Sequence, residues 1–188
     1  MPDTDLGSTL LALARQAIAH HLGRAPAPVL PDDPRLHAKG ATFITLTKDG
    51  DLRGCIGSLR RSRTLGDDVL ANAVAAAMED PRFPPLEADE LDAIAIEVSV
   101  LSEPEFLDFF GEEELLAQLR PGEDGLIIFS GCRSATFLPQ VWEQLPEPRQ
   151  FLAALKHKAG LPTNREVVEL MAARYHVQKW KETEREAS

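Results

Sequence analysis

The stretch from Ala41 to Ile56 constrains the fold most, because it predicts two strands joined by a tight turn. Ala41–Thr47 (ATFITLT) is rich in β-branched and aromatic residues, which favour strands. Asp49-Gly50 supplies the residues that a short hairpin turn needs, so Leu52–Ile56 is predicted to return as a second strand. Strands joined this way pair antiparallel, and the chain is therefore expected to contain an antiparallel sheet.

Further patterns predict helices and more strands around this hairpin. Apolar residues at three-to-four spacing follow Ser8, and they do so again after a capping pattern that begins at Thr64. Strict alternation over Ala93–Leu101 predicts a half-buried strand, and Leu126–Phe129 with Thr136–Leu138 predicts a second hairpin. Together these elements indicate a mixed fold of sheet flanked by helices.

Length indicates one domain with an internal subdivision. A chain of 188 residues can bury a sizeable core without a metal or a disulfide. We expect one domain over residues 6–180, with the subdivision near 120–125, where RPGEDG interrupts the regular patterns. Residues 181–188 are charged and short of apolar side chains, which predicts a frayed tail.

Composition narrows the classes of function. The formal net charge of −10 argues against binding to a phosphate backbone, which requires clustered lysine and arginine. The two cysteines belong to no CxxC or Cys/His cluster, and no Walker or Rossmann glycine pattern is present, so no metal and no cofactor is expected. The polar amino terminus, free thiols and lack of a long apolar run predict a soluble cytosolic protein away from membranes.

The heptad Leu52–Ser58 (LRGCIGS) carries most of the chemistry that the sequence offers. Glycines on either side of Cys55 could let a ligand approach its thiol. The other interpretation is a small buried cysteine in a strand whose glycines serve packing alone. These seven residues do not decide between the two.

Other candidate residues lie nearby in sequence or on the predicted strands. Arginines around the heptad form a basic island that could attract a small anion or could pair with neighbouring carboxylates. Prolines stiffen the loop that carries Arg82 and Phe83, and Glu97 lies on the polar face of its strand. Glu97 could orient an arginine, act as a base, or simply face solvent. His37, His157 and His176 are further candidate bases that spacing does not select.

Six stretches in order resemble one family: LRGCIGSL, ANAVAAAMEDPRFPPL, IAIEVSVLS, DGLIIF, TFLPQVW and KAGLP. The chain resembles the AMMECR domain, called AmmeMemoRadiSam system protein A in prokaryotes. The similarity runs from about Leu10 to Trp180. It implies an α+β fold, mainly antiparallel sheet flanked by helices, with a larger and a smaller subdomain and a cleft between them.

The resemblance also implies partners and site positions, although the activity of the family is unsettled. Prokaryotic relatives are encoded beside a Memo-like protein and a radical SAM protein, which implies a shared pathway or complex. The expected catalytic residues are Cys55, Arg53 and Glu97. The expected ligand-binding residues are Gly54, Ile56, Gly57, Ser58, Asp80, Arg82 and Phe83.

Two classes of function follow from these observations. In the first, Cys55 is a nucleophile or thiol carrier, activated by Arg53 and by backbone amides, that acts on a small anionic substrate. In the second, the heptad belongs to a binding or scaffold module for a ligand or a partner protein, and Cys55 is structural. Binding of nucleic acid is a weaker third class, because both net charge and aromatic content oppose it.

Overall fold

The computed structural model describes residues 4–183. Long-range contacts divide the chain into two compact units, one of Met1–Leu101 with Gln178–Ser188 and the other of Ser102–Val177. We call them unit 1 and unit 2. The sequence placed the subdivision near 120–125, but this segment is a turn inside unit 2, where Glu123 and Asp124 donate backbone N–H groups to the Arg120 carbonyl. Prolines and glycines mark a turn locally, whereas a unit boundary depends on contacts between distant residues.

Unit 1 contains three helices and an antiparallel sheet. Its elements up to the boundary are α1 (Thr4–His21), α2 (Pro34–His37), β1 (Lys39–Lys48), β2 (Asp51–Gly57), β3 (Arg63–Thr64), α3 (Leu65–Met78) and β4 (Ile94–Leu101). The sheet follows the order β2-β1-β4-β9, in which β9 (Val177–Lys181) is the last strand of the chain and β3 adds a short pairing to β1. Strand β2 therefore lies at an edge.

One face of this sheet forms the core of unit 1. The alternate residues Ile44, Leu46, Ile96 and Val98 are buried against α1 and α3. Because side chains alternate across a strand, the intervening residues of β1, β2 and β4 share the opposite face. That second face carries Cys55.

The turn and cap chemistry predicted for unit 1 is confirmed. Asp49 and Gly50 both have positive φ, 53° and 81°, as a two-residue hairpin turn requires. The Thr64 side chain accepts a hydrogen bond from the Asp67 backbone N–H and caps α3. Helix α1 ends before Gly23, whose φ of 73° is the left-handed conformation common after helices. Its first turn begins at Thr4, ahead of Ser8.

Unit 2 has its own sheet and core. Its elements are β5 (Glu105–Phe106), α4 (Gly111–Gln118), β6 (Gly125–Ser130), β7 (Arg133–Phe137), α5 (Pro148–Lys158) and β8 (Met171–Tyr175), with the sheet order β5-β8-β6-β7. The rings of Trp142 and Phe151 stack with centroids 3.7 Å apart in its core. The two antiparallel sheets and five helices of the described chain confirm an α+β fold, whereas the cleft stays a prediction.

Lys181 and Glu182, the first residues of the predicted tail, belong to the fold. Lys181 ends β9, and the Glu182 carboxylate accepts hydrogen bonds from Arg15 at 2.6 and 2.8 Å and from the Ile96 backbone N–H at 3.1 Å. The predicted tail therefore starts too early, because an ion pair with a residue far away in sequence holds its first part. Residues 184–188 lie outside the described part of the chain. No helix within residues 4–183 is long and apolar enough to cross a membrane.

Candidate functional site

Three residues from three adjacent strands form a row on the second face of the unit 1 sheet. In the antiparallel register, Thr45 of β1 is opposite Cys55 of β2 on one side and Glu97 of β4 on the other. Directly opposite residues project from the same face of a sheet. All three side chains are half-buried. We call Cys55, Thr45 and Glu97 the thiol row.

Hydrogen bonds define the spacing within the thiol row. The Thr45 hydroxyl oxygen lies 3.4 Å from the Cys55 sulfur. The Cys55 backbone N–H donates to Asp80 at 2.9 Å and so points away from β1. Cys55 and Thr45 are thus a non-hydrogen-bonded pair, the kind of antiparallel pair whose side chains are closer. On the other side of β1, Thr45 and Glu97 are a hydrogen-bonded pair, in which the Cα atoms are about 5.5 Å apart. Thr45 therefore stands between a thiol and a carboxylate.

The loop after α3 is fastened to the edge of β2 by Asp80. One Asp80 oxygen accepts the Cys55 N–H, and the carboxylate also accepts from the Arg82 backbone N–H at 3.0 Å and from its guanidinium at 3.0 and 2.8 Å. The bonds from Arg82 hold the pKa of Asp80 well below its usual range, with a smaller contribution from the Cys55 N–H and an opposing effect of burial. Asp80 is thus an ionised anchor beneath the cysteine.

Arg82 remains available beside this anchor. Its side chain is 55% exposed, and the guanidinium carbon lies 5.5 Å from the centre of the Phe83 ring. The Asp80 carboxylate raises the pKa of Arg82 through hydrogen bonds and charge, burial opposes this rise, and the charge of a Cys55 thiolate adds a smaller increase. Arg82 is therefore an exposed cation that shares the Asp80 carboxylate with the Cys55 backbone N–H.

Arg53 has a different environment from the one that its position beside Cys55 suggested. The ladder pairs Leu46 with Gly54 and Thr47 with Leu52, so Arg53 is the extra residue of a β-bulge. Its guanidinium donates twice to the Glu90 carboxylate, both at 3.0 Å, and once to the Pro84 carbonyl at 3.0 Å. With 11% of the side chain exposed, Arg53 fastens the far end of the loop that Asp80 holds at its start.

Other atoms of the protein occupy the space beside the two glycines of the heptad. A Cβ on Gly54 would lie 2.1 Å from the Ala76 carbonyl oxygen of α3, and one on Gly57 would lie 2.2 Å from the Phe43 ring. Neither glycine has positive φ. Gly54 is buried, and Ile56 packs against the helix-side core, so both lie on the face opposite Cys55.

Ser58 is held in a buried polar network. Its hydroxyl donates to Asp68 at 2.8 Å and accepts from the Asn72 amide at 3.0 Å. The other Asp68 oxygen accepts from the backbone N–H and the hydroxyl of Thr42, both at 2.8 Å. Asp68 is fully buried, so this network ties α3 to β1 and to the end of β2.

The structure thus brings Cys55, Asp80 and Arg82 together at the edge strand β2, whereas Glu97 lies two strands away on β4. It also adds two residues, Thr45 and Glu90, that sequence reasoning missed. Thr45 could have been found from strand alternation once the pairing was known, whereas Glu90 carried no local signal. Of the candidate histidines, His37 bonds the Pro31 carbonyl at 3.3 Å, and His157 and His176 belong to unit 2. Within residues 4–183, no three His, Cys, Asp or Glu side chains are grouped as a metal site requires.

Comparison with known proteins identifies the family of this chain. The AMMECR1 family model matches residues 11–180. The chain belongs to the AMMECR1 family. A protein of Methanothermobacter thermautotrophicus is 41% identical over 161 residues, which cover 84% of each chain. Protein TV1384 of Thermoplasma volcanium is 39% identical over 160 residues, covering 84% of this chain and 79% of its own.

A solved relative has the same fold. The crystal structure of uncharacterized protein PH0010 from Pyrococcus horikoshii superposes with a TM-score of 0.82 at 33% sequence identity, covering 95% of this chain and 92% of that one. This likeness confirms the AMMECR family and the α+β fold that the sequence stretches indicated. The names of these AMMECR1 relatives assign no reaction.

Proposed function

We propose that this AMMECR1 protein is a thiol-dependent enzyme in which Cys55 acts as nucleophile or thiol carrier on a small anionic substrate. The thiol row carries the proposal, because the Cys55 thiol lies within hydrogen-bonding distance of the Thr45 hydroxyl, and Thr45 is opposite Glu97 in the sheet. In the proposed relay the Thr45 hydroxyl turns toward Glu97, so that the thiol proton passes to the Thr45 oxygen as the Thr45 hydroxyl proton passes to the Glu97 carboxylate. The step leaves a Cys55 thiolate, an intact threonine and a protonated Glu97.

The remaining site residues have supporting roles in this proposal. Arg82, with Phe83 beside it, attracts the anionic group of the substrate, because Arg82 is an exposed cation bonded to the same Asp80 carboxylate that accepts the Cys55 N–H. Asp80 and Arg53 are positioning residues that hold the loop on which Arg82 lies. The framework of the heptad comes from Gly54, Ile56, Gly57 and Ser58, which pack or bond within unit 1.

The test is the alkylation of Cys55 in a Cys132→Ser background, so that only one thiol reports. Iodoacetate is anionic and iodoacetamide is neutral, so the ratio of their rates measures the pull of Arg82 on an anion. We expect Cys55 to react faster than free cysteine at pH 6.5, and to favour iodoacetate more than free cysteine does.

Matched variants make this test specific. Arg82→Ala should remove the preference for iodoacetate and leave most of the iodoacetamide rate, whereas Arg24→Ala, at an exposed arginine after α1, should change neither. The proposal fails if Cys55 resists both reagents until the protein unfolds.

A binding module is the second candidate function, and the packing around Gly54 and Gly57 favours it. Because the Ala76 carbonyl and the Phe43 ring explain Gly54 and Gly57, the heptad needs no ligand to account for its glycines. The proposed partners in either case are the Memo-like and radical SAM proteins. If binding is the function, Cys55→Ala should preserve their capture in a pull-down while Arg82→Ala weakens it. Loss of function with Cys55→Ala at preserved capture would instead support catalysis.

A further inference from the structure

Unit 2 has a cavity of about 280 Å³, open to solvent, between α4, α5 and the loop that follows α5. Its lining includes Glu112 and Glu113 of α4, Arg149 and Lys156 of α5, and Arg165 of the loop. All the lining residues belong to unit 2. The cavity and the thiol row therefore belong to different units, and the inference from the cavity does not rest on the proposed function.

A buried ammonium group lies in the wall of this cavity. Only 5% of the Lys156 side chain is exposed, and its Nζ donates to Glu112 at 2.6 Å and to the Arg165 carbonyl at 2.8 Å. An ammonium group has three N–H donors. The two acceptors found among residues 4–183 leave one donor of Lys156 for a ligand.

Further hydrogen bonds of Glu112 hold the wall around Lys156 in place. The second Glu112 oxygen accepts the Val167 backbone N–H at 3.1 Å, and the Glu112 N–H donates to the Glu166 carboxylate at 3.1 Å. These bonds tie the loop to the first turn of α4. A preorganised wall lowers the entropic cost of binding a small ligand.

Three cations and three carboxylates line the cavity. Lys156 pairs with Glu112 and Arg149 pairs with Glu113 at 2.7 Å, Glu166 accepts the Glu112 N–H, and the Arg165 side chain has no partner within the described part of the chain. Thr163 and Asn164 add a hydroxyl and an amide. A small oxyanion fits this arrangement, because it can accept from the third Lys156 donor and from the Arg165 side chain, which both line the cavity.

We propose that this cavity is a second ligand site, which binds the carboxylate or phosphate group of a small molecule between Lys156 and Arg165. The chemistry shared by both groups is a compact oxyanion that accepts charge-assisted hydrogen bonds.

Titration of the full chain with inorganic phosphate and, separately, with acetate tests the proposal, followed by amide chemical shifts in NMR. We expect saturable shifts that centre on residues 163–167. Saturation by phosphate alone or by acetate alone identifies the preferred oxyanion, and either result supports the site. The absence of saturable shifts with both anions up to tens of millimolar overturns it.

Two variants and a control locate the binding. Arg165→Ala removes an exposed side chain and should weaken binding about tenfold, as expected when one charge-assisted hydrogen bond is lost. Lys156→Met should abolish binding, provided that its circular dichroism spectrum matches that of the wild type. If Lys156→Met does not fold, Arg165→Ala decides. Arg24→Ala removes the same charge in unit 1 and should have no effect; an equal loss in this control shows general charge attraction and overturns the site.

Discussion

At the scale of single residues, Thr45 is the least conspicuous member of the thiol row and the most informative. Its hydroxyl lies 3.4 Å from the Cys55 sulfur, and its backbone is paired with that of Glu97. Threonine is common on strands, so composition alone gives Thr45 no special status. Only the register of three strands shows that Thr45 lies between the Cys55 thiol and the Glu97 carboxylate.

Replacing Thr45 tests the proton path directly. Thr45→Val keeps the branched shape but removes the hydroxyl, and it should slow alkylation of Cys55 by at least about tenfold at neutral pH, because the path to Glu97 is cut. Thr45→Ser should retain most of the rate. Reaction with iodoacetamide over pH 5 to 9 measures both variants. Equal rates for Thr45→Val and the wild type would falsify the relay.

Glu90 gives a residue-scale prediction about acid stability. Hydrogen bonds from Arg53 lower the pKa of Glu90 to about 2, helped by the Glu87 N–H and by Lys48 and opposed by burial. In an unfolded chain glutamate titrates near about 4.3. Because the folded pKa is the lower one, ionised Glu90 stabilises the protein fully above about pH 4.3, and this contribution is lost as the pH falls toward 2.

Glu90→Gln should therefore lower the stability at pH 7 by about 1–3 kcal/mol and flatten the loss of stability between pH 4.3 and 2. Urea unfolding at a series of pH values measures both effects. Asp51→Asn is the control, since Asp51 is an exposed carboxylate of β2 that the Arg53 side chain does not contact. If both variants change the pH dependence equally, the Arg53–Glu90 pair is not its source.

At the scale of elements, the close approach of α3 to β2 determines which glycine is indispensable. A Cβ on Gly54 would meet the backbone of α3, which cannot move without displacing the helix. A Cβ on Gly57 would meet the Phe43 ring, a side chain that can rotate. The two glycines therefore differ in what a methyl group would displace.

Gly54→Ala should destabilise the protein by about 1–3 kcal/mol or more, and Gly57→Ala by less. Urea unfolding monitored by circular dichroism measures both, and each variant serves as the other's control. A larger cost for Gly57→Ala would contradict this account of how α3 packs on β2.

Local chemistry made some elements predictable, whereas the site depended on pairings between distant segments. Asp49-Gly50 and the Thr64 cap involve neighbouring residues, so the sequence indicated both. The contact of Arg53 with Glu90 joins residues 37 apart, and no periodicity reports it. The bulge at Arg53 likewise follows from pairing with β1, so the sequence held no sign that Arg53 bonds Glu90 when it suggested that Arg53 activates Cys55.

The end of the chain illustrates the same limit. The structure has two short strands between residues 171 and 181, β8 and β9. They are separated by His176, and each joins a different sheet. A change of sheet within one extended stretch has no signature in hydrophobic alternation, because both strands obey the same period.

At the scale of the whole molecule, unit 2 is an insertion whose two ends meet. The Ser102 N–H donates to the His176 carbonyl at 2.8 Å, and the His176 N–H donates to the Ser102 hydroxyl at 2.8 Å. Closing the ends of an insertion in this way removes most of the entropy cost that its length would impose on unit 1. It also means that unit 2 begins and ends as adjacent, paired backbone.

We therefore expect residues 102–177 to fold when expressed alone. Their core contains Leu115, Leu126 and Ile128 around the stacked Trp142 and Phe151 rings, all of them buried. Dispersed amide resonances and a cooperative thermal transition would establish folding. Phe151→Ala should abolish that transition, since removing a buried phenylalanine costs about 3–5 kcal/mol, most of the stability of a small domain. A disordered spectrum for the unmodified fragment would mean that unit 2 gains its structure only within the intact chain.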